Sequence, residues 1–380
     1  MVISLQAVRA HITMRRSFIA IFVCYLFLSC SGAASPDLDE DTTALETKLK
    51  MLNKPHVKSF KDKHGVVFDC VDMYKQPAFD HPRLKNHKLQ KPPSSSIAGE
   101  PTRFGLKESC PDGTVLVRRT LKKDLLRASA SVQRFRANRS NRKSRQDKDH
   151  SEVAGQHQAR LAVSSRRRGS GGESTPPCKA NVRQLKYCLS TTALATSASY
   201  KLGGVDPDRN GDSQTRFMTY WTADDYDQTG CLNMLCSGFV MLSQTVTPGV
   251  IIPTGTIGLN MSRDGQTGNW MVDLGQDIVG YFPKEIFDGL NGATQVQMGG
   301  MSYAPPGESG PPMGNGVAPP GNGSYTAATF TQLGAVGAEY DRWWLTKDVS
   351  DPAIYNVMKT SSTGPQGDSF QYGGPGGPYD

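Results

Sequence analysis

Apolar positions along this chain keep two different rhythms. Near the amino end, TALETKLKMLNK (43–54) repeats at helical spacing, and VVFDCVDM (66–73) then runs like a strand. A second short helix is predicted in RRTLKKDLLRAS (118–129). From about Ala180 the rhythm changes: RFMTYWTA, GFVMLSQTV, GVIIPTGTIGL, NWMVDLG, DIVGYF, TQVQMGG and YTAATFTQLGAV recur between Gly, Pro, Asn and Asp. Short β-forming runs at that spacing predict an antiparallel sandwich or barrel rather than an α/β sheet. One helical turn, PKEIFDGL (283–290), interrupts them.

Composition supports that division. Lysine almost vanishes from the second half, where only Lys284, Lys347 and Lys359 follow Lys201. The formal charge of +8 is not spread over the molecule, because residues 114–170 carry 16 Lys/Arg against four acids. A block of one sign with Ser, Gly and Gln is expected to be a solvated, protease-sensitive connector and excludes a basic nucleic-acid surface elsewhere. A polyanion-binding arm is the alternative for that stretch.

The first residues have the form of a secretion signal. Arg15 and Arg16 precede an apolar run, Phe18 to Leu28, too short to span a bilayer, and Gly32-Ala33-Ala34 offers a cleavage site. The expected organisation is a signal over 1–34, a small α+β module over 43–130, a flexible basic connector over 131–177 and a mainly β domain over 178–380. Export to the extracellular space, apoplast or cell wall follows as the expected location.

Export also governs the cysteines. Six remain after the signal, and an even number in an exported chain favours disulfides, although six permit fifteen pairings. Cys231 and Cys236 can close a tight loop, and Cys70 and Cys110 are natural partners upstream; Cys178 and Cys188 stay unassigned. No CxxC pair points to zinc, and DPDRNGD (206–212) lacks the glutamate a calcium loop needs, so no metal or cofactor is expected. Asn138, Asn260 and Asn322 stand in glycosylation triplets.

Six separated stretches together resemble the neprosin family of plant proteins: QPAFDHPRLKNHKLQ, CPDGTVLVRRT, TYWTADDYDQTGCLNMLCSGFV, GNWMVDLGQDIVGYFPKEIF, QVQMGGMSY and FQYGGPGGP. The resemblance implies a secreted precursor with an activation peptide and a mature sandwich of two antiparallel sheets. Active members are glutamic endopeptidases that cut after proline at acid pH. The activation peptide would mask the groove until the connector is cut.

Such chemistry needs two carboxyl groups. One ionised carboxylate activates water while a protonated partner stabilises the oxyanion or protonates the leaving nitrogen. In the family pattern one glutamate follows the Gly-Gly of the QVQMGGMSY strand; here that place is Met301. The other falls at or near Tyr200. No glutamate occurs between Ser174 and Lys284, or between Ile286 and Gly307, so the family dyad is missing. The aspartates of DPDRNGD and TADDYD are expected in turns rather than as substitutes.

Three functional readings follow. The chain is an acid-active prolyl endopeptidase, or a catalytically impaired relative that binds Pro-containing peptides or cell-wall protein or glycan ligands, or an incomplete gene product missing an exon. Tyr220, Trp221, Gln297 and Tyr303 are the candidate groove residues, and the chain's own propeptide is an expected partner.

Overall fold

The computed structural model describes residues 37–91, 104–129, 156–165, 178–183, 187–193, 196–224, 228–253, 256–287, 290, 295–304, 308–321, 324–335, 343–349, 351–361 and 368–378. The secretion signal and the connector up to residue 155 lie outside the described residues. Two compact units form, Met1–Thr47 and Lys48–Asp380, and all three sheets belong to the second. Helix α1 (Asp37–Leu52) covers the predicted amino-terminal helix.

Three strands follow, β1 (His56–Lys61), β2 (Val67–Asp72) and β3 (Thr114–Arg118), in the antiparallel order β1-β2-β3. Cys70 and Cys110 are joined, tying β2 to the segment that leads into β3. Two short 3-10 turns, Pro77–Asp80 and Pro82–Leu84, and a helix over 122–129 complete this small module. Proline at their first positions presets the backbone for such turns.

The sandwich begins with β4 (Gln156–Ser165), β5 (Cys178–Arg183), β6 (Tyr187–Ala193) and β7 (Thr196–Gly204). It continues through β8 (Arg216–Thr222), β9 (Cys231–Leu232), β10 (Val240–Met241), β11 (Thr256–Arg263), β12 (Trp270–Leu274) and β13 (Asp277–Phe282). The last strands are β14 (Gln295–Tyr303), β15 (Ala328–Ala335), β16 (Trp343–Val349), β17 (Asn356–Ser361) and β18 (Asp368–Gly373). One sheet has eight strands in the order β10-β13-β12-β11-β5-β15-β18-β17, and the other has seven, β16-β4-β14-β6-β7-β8-β9. Their inner faces share a core in which Phe217 and Met298 of the seven-stranded sheet meet Trp270, Phe330 and Tyr372 of the eight-stranded one. Alternation explains that core: every second residue of an antiparallel strand points inward.

One sequence expectation needs correction. The stretch 131–177 is not connector throughout, because β4 occupies 156–165 in the interior of the seven-stranded sheet. It pairs with β14 over all nine residues of that strand and with β16 on its other side. Charge and small polar residues suggested solvent, yet a strand with two neighbours satisfies its backbone on both edges whatever its own β-propensity. The β domain therefore starts before residue 178.

The Pro/Gly-rich stretch 302–324 runs from the end of β14 towards β15. Its described part is fastened rather than free: Gly310 bridges Gly377, Met313 bridges Gly374, and Tyr355 Oη donates to Pro311 O at 2.8 Å. Met313 is buried in the core, which gives this loop an apolar anchor.

Candidate functional site

Two regions of the sandwich bear on function. The first is the seven-stranded sheet, where the resemblance places the groove. Its seven strands together contain one carboxylate, Asp348, on the edge strand β16 and opposite Arg160. A two-carboxyl mechanism finds one group there and no second.

Register sharpens the point. Met298 pairs with Leu189, Leu189 with Tyr200, and Tyr200 with Thr219, so these four positions form one row across the sheet. That row is the core-facing one, since Met298 is packed in the core. Gly300 belongs to the same alternation: a Cβ there would stand 2.5 Å from Met313 Sδ and 2.9 Å from Tyr372 Cε2. Met301 is one residue further along an unbroken register and falls in the opposite row. Tyr200 and Met301 consequently do not confront each other. On β7 the positions in the alternation of Met301 are Ser199 and Lys201, level with Ser190 and Cys188.

The candidate groove aromatics also separate. Trp221 lies in the core with its ring edge-on to Phe287 at 6.0 Å and to His81 of the small module at 5.7 Å. Tyr220 takes the other alternation, where the guanidinium of Arg209 lies over its ring at 5.4 Å and donates to its hydroxyl. Gln297 stands opposite Ala162 and Ser190, and Tyr303 opposite Gln156. By register Tyr220 and Gln297 stand in one row, through Ser199 and Ser190, and Tyr303 follows the same alternation, so Trp221 alone belongs to the core-facing set.

The loop aspartates serve structure. Asp206 caps a one-turn helix, Pro207–Asn210, by accepting from Arg209 N. Burial pushes the Asp212 carboxyl up, but its hydrogen bond from Arg216 and that from Gln214 N bring it below the usual carboxylate range. Arg216, 1% exposed, also donates to Gly249 O at 2.7 Å. Asp224 likewise falls below its ordinary range: burial opposes, and bonds from Thr229 and Gln228 prevail. Asp225 and Asp227 lie outside the described residues.

Cys231 and Cys236 are joined around a turn in which Asn233 takes φ +51°, a conformation asparagine tolerates. Asn260, the glycosylation triplet inside the described residues, sits in β11 with its Nδ2 donating to Asp273 at 2.7 Å. That nitrogen is the atom a glycan would take. Asn138 and Asn322 lie outside the described residues, as do any contacts they make.

The second region is the contact between the small module and the eight-stranded sheet. It was not legible in the sequence. Gln76 places its amide against the edge strand β10, with Nε2 donating to Met241 O at 3.1 Å and Oε1 accepting from Met241 N at 2.6 Å. Gln90 Oε1 accepts from Thr267 Oγ1 and Asn269 Nδ2, both at 2.8 Å. Tyr281 is wholly buried between His87 Nε2 at 2.8 Å and Gln90 N at 3.0 Å, and Glu285 Oε2 lies 3.2 Å from His87 Nδ1. Burial pushes the Tyr281 hydroxyl up to about 12, against the hydrogen bond from Gln90 N and with a smaller upward push from the charge of Glu285. Tyrosine, histidine and carboxylate in line resemble a proton relay, but the hydroxyl is sealed and stays protonated, so the arrangement holds the module rather than a substrate. Among the described residues, no cluster of three His, Cys, Asp or Glu is placed to hold a metal ion.

A two-sheet antiparallel sandwich bearing its own disulfide-tied amino-terminal module has the organisation of a precursor protein. Comparison with known families agrees: residues 197–375 match Neprosin, and residues 59–164 match the Neprosin activation peptide. The chain belongs to the neprosin family. The activation-peptide match extends through most of β4, so the family boundary and the structural boundary differ.

Proposed function

We propose that this protein is a secreted neprosin-type precursor whose peptidase chemistry is impaired. The carrying observation is the seven-stranded sheet with Asp348 as its one carboxylate, while Met301 stands at the family's glutamate position. Methionine neither moves a proton nor carries charge, and the described strands of this sheet hold no second carboxylate to pair with Asp348. The two disulfides fit an oxidising compartment.

The second reading is binding of Pro-rich or cell-wall ligands through the inherited sheet. Its support is the register that sets Tyr220 and Gln297 in one row of the sheet, with Tyr303 in the same alternation, so that an aromatic and an amide are offered on one face to an extended Pro-containing ligand. Against the missing-exon reading stands the placement of the described strands of the stretch, β5 between β11 and β15 in one sheet and β6 and β7 side by side in the other. Sequencing the transcript across residues 150–205 should return the present reading frame.

The decisive experiment incubates purified, processed protein with a Pro-containing peptide at acidic pH, about 3–5, where a carboxyl pair would work. No cleavage after proline is expected, while binding of the same peptide to the processed form distinguishes the second reading. Cleavage that resists inhibitors of other protease classes would overturn impairment.

A further inference from the structure

The resemblance implies that cutting the connector frees the activation module. The contact surface argues otherwise, and it does so whether the groove cleaves, binds or does neither. We propose that the module is a retained subunit: after scission between residues 130 and 155 the protein persists as a non-covalent two-chain complex at neutral pH.

The argument starts at the sheet edge. An edge strand presents backbone donors and acceptors that need a neighbour or water. On β10 the module supplies the neighbour with a side chain, since the Gln76 amide has the same donor and acceptor as a peptide group and takes both Met241 N and Met241 O. Beyond that strand the pairing becomes backbone to backbone, with Leu116 N donating to Ser243 O at 2.9 Å and Cys110 N to Gln244 O at 3.0 Å. The module thus caps the open edge of the eight-stranded sheet.

It also covers the adjoining outer face. Val240, Leu242, Met271 and Tyr281 form a buried apolar cluster closed by Ala78 from the module, with Phe79 and Leu89 packed against it. Met271 is outward in β12, opposite in alternation to Trp270 and Val272 of the inner core. Without the module this face would be an apolar patch in water. Packing is close as well: Gly249 has φ +99°, and a Cβ there would lie 2.8 Å from Cδ of the module's Arg118.

Neither disulfide crosses the contact. Cys70–Cys110 lies within the module and Cys231–Cys236 within the sandwich, so the retention is carried by packing and hydrogen bonds.

The test places a specific protease recognition sequence between residues 130 and 155 of the full-length protein. After cutting, denaturing electrophoresis without reductant should resolve two fragments. Size exclusion at neutral pH should return both in one peak. A module eluting alone, or a sandwich that aggregates after losing it, would overturn the proposal. In the same background Gln76→Leu leaves Met241 N and O unpaired, and loss of the module on dilution should become about tenfold faster. Lys75→Ala, an exposed neighbour, serves as the unaltered control. Retention equal in Gln76→Leu and Lys75→Ala would remove the edge-pairing argument.

Discussion

The two sheets of the sandwich have been treated differently. The eight-stranded sheet meets the activation module through a set of matched polar groups, Gln76 on Met241, Gln90 on Thr267 and Asn269, and His87 on Tyr281. The strands of the seven-stranded sheet, where the resemblance puts the groove, carry a single carboxylate, Asp348, on the edge strand. Docking is specified in detail on one sheet, while the proposed impairment rests on the other. Buried hydrogen bonds such as those of Gln76 and Gln90 cost stability when one partner is removed, whereas a side chain on the outer face of a strand is freer to change.

The variant whose failure would change the comparison most is the one that adds a single carboxyl to the seven-stranded sheet. Met301→Glu alone is expected to yield no cleavage after proline in a peptide assay at acid pH, because one carboxyl is still missing. Cleavage by that single variant would erase the contrast between the sheets.

Next in size is the module's own staple. Cys70→Ser opens a loop with a sequence separation of 40 residues and should cost about 2–5 kcal/mol by denaturant unfolding. Size exclusion of the cut protein should show module loss in parallel, since Cys110 N is itself a docking donor.

Gly300→Ala probes the other sheet. The new methyl meets Met313 and Tyr372, and the expected loss is about 1–3 kcal/mol in chemical denaturation. An unchanged midpoint would mean that Met313 moves aside freely.

The smallest effect is a pH dependence at His81. Burial against Trp221 first, and Arg83 second, hold its imidazole below the ordinary 6.5, and its Nδ1 accepts from Arg83 N. A histidine whose folded pKa is lowered binds its proton more readily when unfolded, so the folded form is favoured above 6.5 and loses ground as pH falls through the depressed value. Thermal melts from pH 7.5 to 5 (about that span) should fall, and His81→Gln should flatten the slope. Equal slopes in both proteins would show that the ring titrates as in water.

Much of this organisation was legible in the chain. The strands β8, β11, β12, β13, β14 and β15 all lie in runs that alternate or repeat between turn residues, the 3-10 turn Lys284–Ile286 falls inside PKEIFDGL, and both observed disulfides join cysteines that stand close or alone in their regions. The lack of glutamate between Ser174 and Lys284 was equally plain, because a residue type missing from a stretch is missing in any fold.

Other features came from pairing alone. β4 looked like connector because its charge resembles its flanks, and only β14 and β16 on either side make it a strand. Tyr200 and Met301 looked like partners because they stand in the two family motifs, but a shift of one residue in alternation puts them in different rows. Tyr220 and Trp221 are adjacent in sequence and, for that reason, on opposite faces of β8. Composition and local rhythm determine which residues form strands and which chemistry is absent. Which side chains share a surface, and that Gln76 completes a sheet edge 165 residues away, depends on register and docking, which arise from contacts between distant segments.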